Sequence, residues 1–291
     1  MVRRPSRTRR GGTQCLRRRR QRRAIMDAET YLRSNRAHDV AHLLTGWKRL
    51  ARSLRVKPET LCRVGDFEIL VLEKRGNGPG FYASAGIHGD EPGATEGLFR
   101  WSARGGLEDL LARRIPFFIA PCLNPWGLAN NRRLNAQGVD LNRQFLSETI
   151  SPIPELRTRI KCACYRLALT LHEDFDAQGL YLYEVRGPKP YWGERLSSAV
   201  AEIIPPDLRP RIEGRGSRRG VIRPRLTDAM TRRFLRLGCP EALWLRYNGR
   251  ADRVFTFETP SEYSLDRRAE TQAALVTEAV RLAFPEEKPS N

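Results

Sequence analysis

Two histidines and one glutamate have the residue types and spacing of a metal site. His88 and Glu91 lie three residues apart in a glycine-rich turn, and His172 ends an apolar run. Zn²⁺ binds imidazole and carboxylate alike, and two His with one Glu leave its fourth tetrahedral position open for water. These residues therefore predict a catalytic zinc site, with one ion per chain, in which the pKa of the bound water falls to roughly 7.

A hydrolytic zinc site also needs a general base and donors for the substrate. Glu258 follows an alternating apolar run, so its carboxylate is expected at the end of a strand, where it would face the site. Arg133 and Arg143, together with Asn142, offer planar donors for a carboxylate or an oxyanion. Each of these residues is a weak signal by itself, because arginine is abundant in this chain.

Strands and helices must alternate to bring these residues together. Apolar or alternating runs predict strands over residues 67–72, 81–85, 115–120, 167–171, 179–183, 242–247 and 254–257. Three- and four-residue spacing predicts helices over residues 27–54, 93–104, 155–165, 194–203 and 267–282. This alternation indicates a three-layer α/β domain, in which polar residues at the carboxyl ends of strands meet at one edge of the sheet.

The charge of the chain is concentrated at its start. Of the 291 residues, 40% are hydrophobic, which argues against wholesale disorder, and the formal net charge is +19. Residues 1–25 hold eleven of the 52 basic residues and no acidic one, so the remainder carries a net charge of +8. We therefore predict a disordered Arg-rich arm over 1–25, a single catalytic domain over 26–285 and a flexible tail over 286–291.

Composition also bounds the location and the partners. Six cysteines in a chain of this length do not indicate a disulfide scaffold, and the start of the chain has no apolar segment typical of a secretory signal. No apolar run approaches the length of a membrane span. We expect a cytoplasmic protein that does not associate with membranes and binds nucleic acid at most weakly, through residues 1–25.

Five short motifs together resemble the zinc metallocarboxypeptidase family. They occur in the order of that family, at Gly86–Glu91, Arg133–Asn135, Gly138–Arg143, Leu171–His172 and Phe255–Glu258. The resemblance implies a carboxypeptidase A-like α/β/α fold, with a mixed central sheet of about eight strands. The acidic pair after His172 and the absence of a recognisable pro-domain are similar to the cytosolic bacterial murein-peptide amidase branch.

The resemblance also implies a role for each site residue. Zinc would be bound by the ligand set named above. Arg133 would polarise the scissile carbonyl, while Asn142 and Arg143 would hold the terminal carboxylate of the substrate. Asp140 would orient His88 from behind, and Glu258 would take the proton from water and return it to the leaving amine. A tyrosine over the substrate is expected as well, with Tyr181, Tyr183 and Tyr247 as the candidates.

Three interpretations of function remain open at this stage. The first is a zinc carboxypeptidase or amidase acting on a small peptide with a free carboxylate, such as a murein-type peptide. The second is a zinc deacylase of N-acyl amino acids, similar to succinylglutamate desuccinylase and aspartoacylase. The third is a binding protein without enzymatic activity that uses the basic arm. Intact metal and base positions argue against the third, while the same ligands serve the first two.

Overall fold

A computed structural model describes residues 36–185, 187–224 and 227–286. The predicted arm over 1–25 lies outside these residues, as do 287–291 of the predicted tail. The proposed domain boundaries therefore stay predictions.

In the part of the chain that the structure describes, the centre of the molecule is a mixed sheet of eight strands, as the resemblance implies. Their order across the sheet is β1-β2-β4-β3-β5-β10-β6-β9. Strands β4, β3, β5 and β10 run parallel to one another, whereas β1 with β2, β2 with β4, and β10 with β6 pair antiparallel. The strands are β1 (Pro58–Val64), β2 (Phe67–Lys74), β3 (Gly80–Ser84), β4 (Phe117–Ala120), β5 (Tyr165–Asp174), β6 (Tyr181–Val185), β9 (Val221–Ile222) and β10 (Ala251–Pro260), with a separate hairpin of β7 (Arg211–Ile212) and β8 (Arg215–Gly216).

Helices cover both faces of this sheet. They are α1 (Val40–Ser53), α2 (Pro92–Trp101), α3 (Leu107–Ala112), α4 (Pro125–Asn130), α5 (Ile153–Ile160), α6 (Gly193–Ala199), α7 (Asp228–Leu237), α8 (Glu241–Tyr247) and α9 (Leu265–Ala283). A π-helical turn (Ser102–Gly106) joins α2 to α3, and a 3-10 turn (Leu141–Arg143) precedes α5.

Strand β5 shows how the two faces separate. Its residues Leu167, Leu169 and Leu171 belong to the core beneath α1, α2 and α9. The intervening Ala168 belongs to the opposite core, beneath α5 and α8. Because side chains alternate along a strand, His172 shares the face of Ala168. The two cores confirm the predicted three-layer α/β/α architecture.

One predicted strand is wrong, and some elements were not predicted. Residues 242–247 form helix α8 instead of a strand, with Ala242, Trp244 and Leu245 buried on one side. A run as short as 242–247 does not distinguish the two structures by periodicity, and Pro240 sets the start of the helix instead. Strand β1 and helix α7 were missed. Of the helix predicted over 27–54, residues 27–35 lie outside the described residues, and helix α1 begins at Val40, where the Asp39 side chain accepts a hydrogen bond from the His42 N–H.

Among the residues that the structure describes, no helix combines the length and apolar character needed to span a bilayer.

Candidate metal centre

The three predicted metal ligands converge at the carboxyl ends of β3 and β5. The potential ligand atoms of His88, Glu91 and His172 all lie within 4.8 Å of one another, and all three residues are buried. His88 Nδ1 lies 2.6 Å from Glu91 Oε1, and His172 Nδ1 lies 2.9 Å from Glu91 Oε2. Both imidazoles thus turn the same ring nitrogen toward one carboxylate.

The local backbone explains why these side chains meet. The segment after β3 is fixed to the segment after β4 by hydrogen bonds from Leu123 N–H to Ala85 O and from Asn124 N–H to Gly86 O. Gly89 lies against α4 so closely that a Cβ there would be 1.9 Å from the Gly127 carbonyl carbon. The turn that carries His88 can therefore pack on α4 only with glycine at position 89.

Asp140 forms the outer contact of this cluster. Its Oδ1 lies 3.1 Å from Nε2 of His88, the ring nitrogen that faces away from Glu91. A carboxylate in this position fixes the orientation of a ligating imidazole and increases its basicity. Asp140 thus contacts the His88 ring through the nitrogen that Glu91 does not contact.

The electrostatics of the metal-free cluster reflect the same contacts. Burial by itself lowers the pKa of His88, but the Glu91 charge and the Asp140 hydrogen bond outweigh it and raise this pKa to about 9. Burial raises the pKa of Glu91, while the charges and hydrogen bonds of the two imidazoles lower it to about 2. A buried carboxylate is thus kept ionised between two nitrogen ligands, which is a donor set that suits a divalent cation such as Zn²⁺.

Glu258 lies next to His172 on the neighbouring strand. The parallel register of β10 with β5 pairs Glu258 with His172, and the Glu258 side chain is partly exposed. Desolvation raises the pKa of Glu258 well above its usual value, His172 opposes this, and Glu91 adds to it. A cation held by the ligands would lower that pKa, since positive charge favours the ionised carboxylate.

Arg133 reaches the cluster from the loop after α4. Its Nη1 lies 3.4 Å from Glu91 Oε1, and its Nη2 lies 3.4 Å from Asp140 Oδ2. The side chain is 43% exposed, so these long hydrogen bonds leave it accessible. Arg133 therefore has one side toward the metal ligands and the other toward solvent.

Asn142 and Arg143 lie beside the cluster on the 3-10 turn. Asn142 Oδ1 accepts a hydrogen bond of 2.9 Å from the Glu241 N–H, at the first residue of α8. Arg143 is exposed, and its Nη1 donates to Asn142 O at 2.9 Å. The Arg143 charge also contributes to lowering the pKa of Asp140, after burial, which opposes the shift, and the larger effects of His88 and Arg133.

The structure separates the three candidate tyrosines. Tyr181 and Tyr183 on β6 pair in register with Glu258 and Thr256, so both lie at the site. Tyr181 OH donates to Asp174 Oδ2 at 2.9 Å. Tyr247 ends α8 close to the start of β10, at the edge of the sheet opposite Glu258, and is thereby removed from the site.

Two buried glutamates near the site were not among the predicted site residues. Glu173 points away from His172 into the core between α2 and α9, where it pairs with Arg268 at 2.8 Å. Glu241 accepts a hydrogen bond from Tyr82 OH. The acidic pair after His172 was the available sequence signal for Glu173, but its partner lies 95 residues further along the chain.

Two segments of the chain are similar in sequence to known proteins. Residues 77–178 match the sequence model of the succinylglutamate desuccinylase/aspartoacylase catalytic domain. A segment of 74 residues is 40% identical to Carboxypeptidase SOL1 of Arabidopsis thaliana; it amounts to 23% of this chain and 15% of that relative.

Solved structures share the fold over most of the chain. A Shewanella denitrificans protein described as a metallopeptidase superposes with a TM-score of 0.74 at 23% identity, over 86% of this chain and 92% of its own. A metallo-carboxypeptidase of Pseudomonas aeruginosa, solved with (2-guanidinoethylmercapto)succinic acid, superposes with a TM-score of 0.56 at 21% identity, over 82% and 68%. A metallo-carboxypeptidase of Burkholderia cenocepacia gives 0.55 at 18% identity, over 82% and 68%. At these identities the superpositions establish the fold.

The carboxypeptidase A-like α/β fold is therefore confirmed, and part of the chain is similar in sequence to the desuccinylase/aspartoacylase catalytic domain and to a carboxypeptidase. The segment that matches the family model contains the three predicted ligands and the two predicted site arginines. The family model points to the desuccinylase and aspartoacylase branch, whereas the solved structures carry carboxypeptidase and metallopeptidase descriptions.

Proposed function

We propose that this protein is a zinc-dependent hydrolase that cleaves an amide bond next to a C-terminal, carboxylate-bearing residue of a small peptide. The observation that carries this proposal is the buried His88, Glu91 and His172 cluster with the Glu258 carboxylate in register beside it. A metal site with a carboxylate next to it and exposed arginines above it has the groups that amide hydrolysis needs.

His88, Glu91 and His172 would hold the zinc ion. When bound there, zinc supplies a Lewis acid and a lowered pKa for water. Asp140 keeps the His88 ring in the orientation that turns Nδ1 toward Glu91. Both imidazoles thereby turn Nδ1 toward the same Glu91 carboxylate, which brings three potential ligand groups together.

Glu258 and Arg133 would act on the reacting groups. Glu258 accepts a proton from the attacking water and later donates it to the leaving amine, a role that fits its partly exposed position beside His172. Arg133 donates hydrogen bonds to the substrate carbonyl oxygen and to the negative charge that develops there. Its weak bonds to Glu91 and Asp140 hold the guanidinium at the cluster without saturating its donors.

Asn142 and Arg143 would bind the terminal carboxylate of the substrate. A guanidinium beside an amide can donate several hydrogen bonds to one carboxylate, which fixes the end of the peptide. The net charge of +8 outside the arm favours substrates with several carboxylates, such as a murein-type peptide with a γ-D-glutamyl–diaminopimelate linkage. Such a peptide in turn fits the predicted cytoplasmic location, which stays a prediction.

A zinc-dependent deacylase of N-acyl amino acids is the second candidate. The observation that favours it is the match of residues 77–178 to the desuccinylase/aspartoacylase catalytic domain. The two reactions use the same groups and differ in which side of the amide carries the recognised carboxylate. Metal binding therefore does not distinguish the peptidase from the deacylase, and only the substrate that is cleaved does.

Metal analysis and a matched substrate panel test both candidates. The panel contains a tripeptide with a free C-terminus, the same tripeptide amidated, and N-acetyl- and N-succinyl-amino acids. We expect about one zinc per chain, loss of activity on chelation, and fast cleavage of the free tripeptide alone. Equal rates on both tripeptides would contradict the carboxylate contact, and faster hydrolysis of the acyl-amino acids would establish the deacylase instead.

A further inference from the structure

Helix α2 begins at a metal ligand, and this creates a conflict for Glu91. Glu91 is the residue that precedes the first turn of α2, a position whose side chain commonly accepts a hydrogen bond from an N–H of that turn. Here the Glu91 side chain makes no such bond, because both of its oxygens face the two imidazoles. The first turn of α2 therefore needs another acceptor.

Glu173 supplies that acceptor from a different strand. Pro92, the first residue of α2, has no N–H, so the first free donor is the Gly93 N–H. It donates to Glu173 Oε2 at 2.9 Å. Gly93 also permits this approach, because a Cβ there would lie 2.2 Å from Glu173 Oε1.

Helix α9 holds the Glu173 carboxylate in place. Arg268 Nη1 donates to Glu173 Oε2 at 2.8 Å, and the Glu173 side chain is fully buried. One turn further along α9, Gln272 Nε2 donates to the backbone oxygen of His172 at 2.7 Å. Helix α9 therefore fixes both the Glu173 carboxylate and the backbone of His172, the preceding residue on β5.

We propose that Glu173 is a positioning residue, which caps helix α2 in place of Glu91 and thereby leaves the Glu91 carboxylate free to bind the metal. This inference rests on the proposed function, since it assumes the zinc site. Glu173 and His172 are consecutive residues of β5. The same short segment therefore positions the His172 ligand and the acceptor for the first turn of helix α2, which follows the Glu91 ligand. Glu173 points away from the site, so it cannot replace Glu258 as the base.

Glu184 offers a matched control elsewhere in the chain. It is a buried strand glutamate that accepts hydrogen bonds from Trp192 N–H at 2.6 Å and Gly193 N–H at 3.2 Å, at the start of α6. It also pairs with Arg223 at 2.7 Å. Glu184 thus has the same chemistry as Glu173, at a helix that carries no ligand.

The experiment compares Glu173→Gln and Glu173→Ala with Glu184→Gln in the full chain. Zinc affinity is measured by competition with a chromophoric chelator, ligand geometry by the visible spectrum of the Co²⁺-loaded protein, and stability by thermal unfolding of the metal-free form. We expect the thermal midpoint to fall in all three variants. Zinc affinity should fall roughly 10–100-fold, with an altered Co²⁺ spectrum, in the Glu173 variants alone.

Two results would overturn the positioning role. One is wild-type zinc affinity and an unchanged Co²⁺ spectrum in both Glu173 variants, and the other is an equal loss of affinity in Glu184→Gln. If the Glu173 variants do not fold, Gly93→Ala displaces the same carboxylate and should weaken zinc binding in the same way; unchanged binding there would also overturn it. A wild-type chain that binds no zinc would instead contradict the proposed function.

Discussion

The metal cluster and the loop over residues 131–143, which we call the arginine loop, are held in opposite ways. His88, Glu91 and His172 are at most 3% exposed and are fixed by strands and helices. Arg133 and Arg143 on the arginine loop are exposed, and Arg133 contacts the cluster only through bonds of 3.4 Å. The difference is one of access, because the candidate metal ligands are fixed in the interior while the two guanidinium groups are open to solvent and to a substrate.

Removing one of the predicted ligands should abolish metal binding at the buried cluster. We expect His172→Ala to lose its zinc and its activity, because only two of the three protein ligands that a catalytic zinc needs would remain. Zinc content after dialysis is the measurement, and His42→Ala on helix α1 is the control that should retain wild-type content. Full occupancy in His172→Ala would remove this residue from the metal site.

Glu258→Gln should separate chemistry from metal binding. Glutamine keeps the size of the side chain but cannot accept the proton of water, so turnover should fall by roughly 10²–10⁴-fold. Zinc content should remain that of the wild type, and both are measured on the same preparation. Near-normal turnover would exclude Glu258 as the base.

Asp140→Ala tests the connection between the metal cluster and the arginine loop. Asp140 contacts His88 of the cluster and Arg133 of the arginine loop, so its loss should weaken zinc binding by roughly 10–100-fold and also release the guanidinium. Chelator competition measures the first effect, and KM for the free tripeptide measures the second. If KM changes while zinc affinity does not, then Asp140 positions Arg133 and does not contribute to metal binding.

Arg143→Ala should have the smallest effect, because the side chain is exposed. A single hydrogen bond to a charged group contributes about 1.5 kcal/mol, so kcat/KM for the free tripeptide should fall roughly tenfold. The amidated tripeptide should be unaffected, and Arg132→Ala, an exposed neighbour on the same loop, is the control. A loss of equal size on both substrates would contradict a contact with the carboxylate.

The sequence predicts best what lies at the ends of apolar strands. The apolar runs before His88, His172 and Glu258 form buried strands as predicted, so the convergence of these residues follows from the fold class. The partners of Glu173 and Glu241 could not be predicted in this way. Arg268 and Tyr82 lie 95 and 159 residues away from them, and only tertiary packing brings such groups together.

Short elements were the other source of error. The apolar residues at 242–247 fit a strand or a helix equally well, and the packing of α8 against β10 decides between them. That packing is also what brings the Glu241 N–H to Asn142.

The hydrogen bond between Glu241 and Asn142 sets the polarity of the proposed carboxylate site. A backbone N–H can only donate, so the atom of Asn142 that faces Glu241 must be its oxygen, and the side-chain NH₂ points elsewhere. With its oxygen directed at Glu241, Asn142 has its NH₂ group left to donate to a ligand, which suits a carboxylate with two acceptor oxygens better than an amidated terminus with one. The discrimination between two chain ends would then depend on a peptide group 99 residues away, and a change that shifts α8 would alter it without touching the substrate.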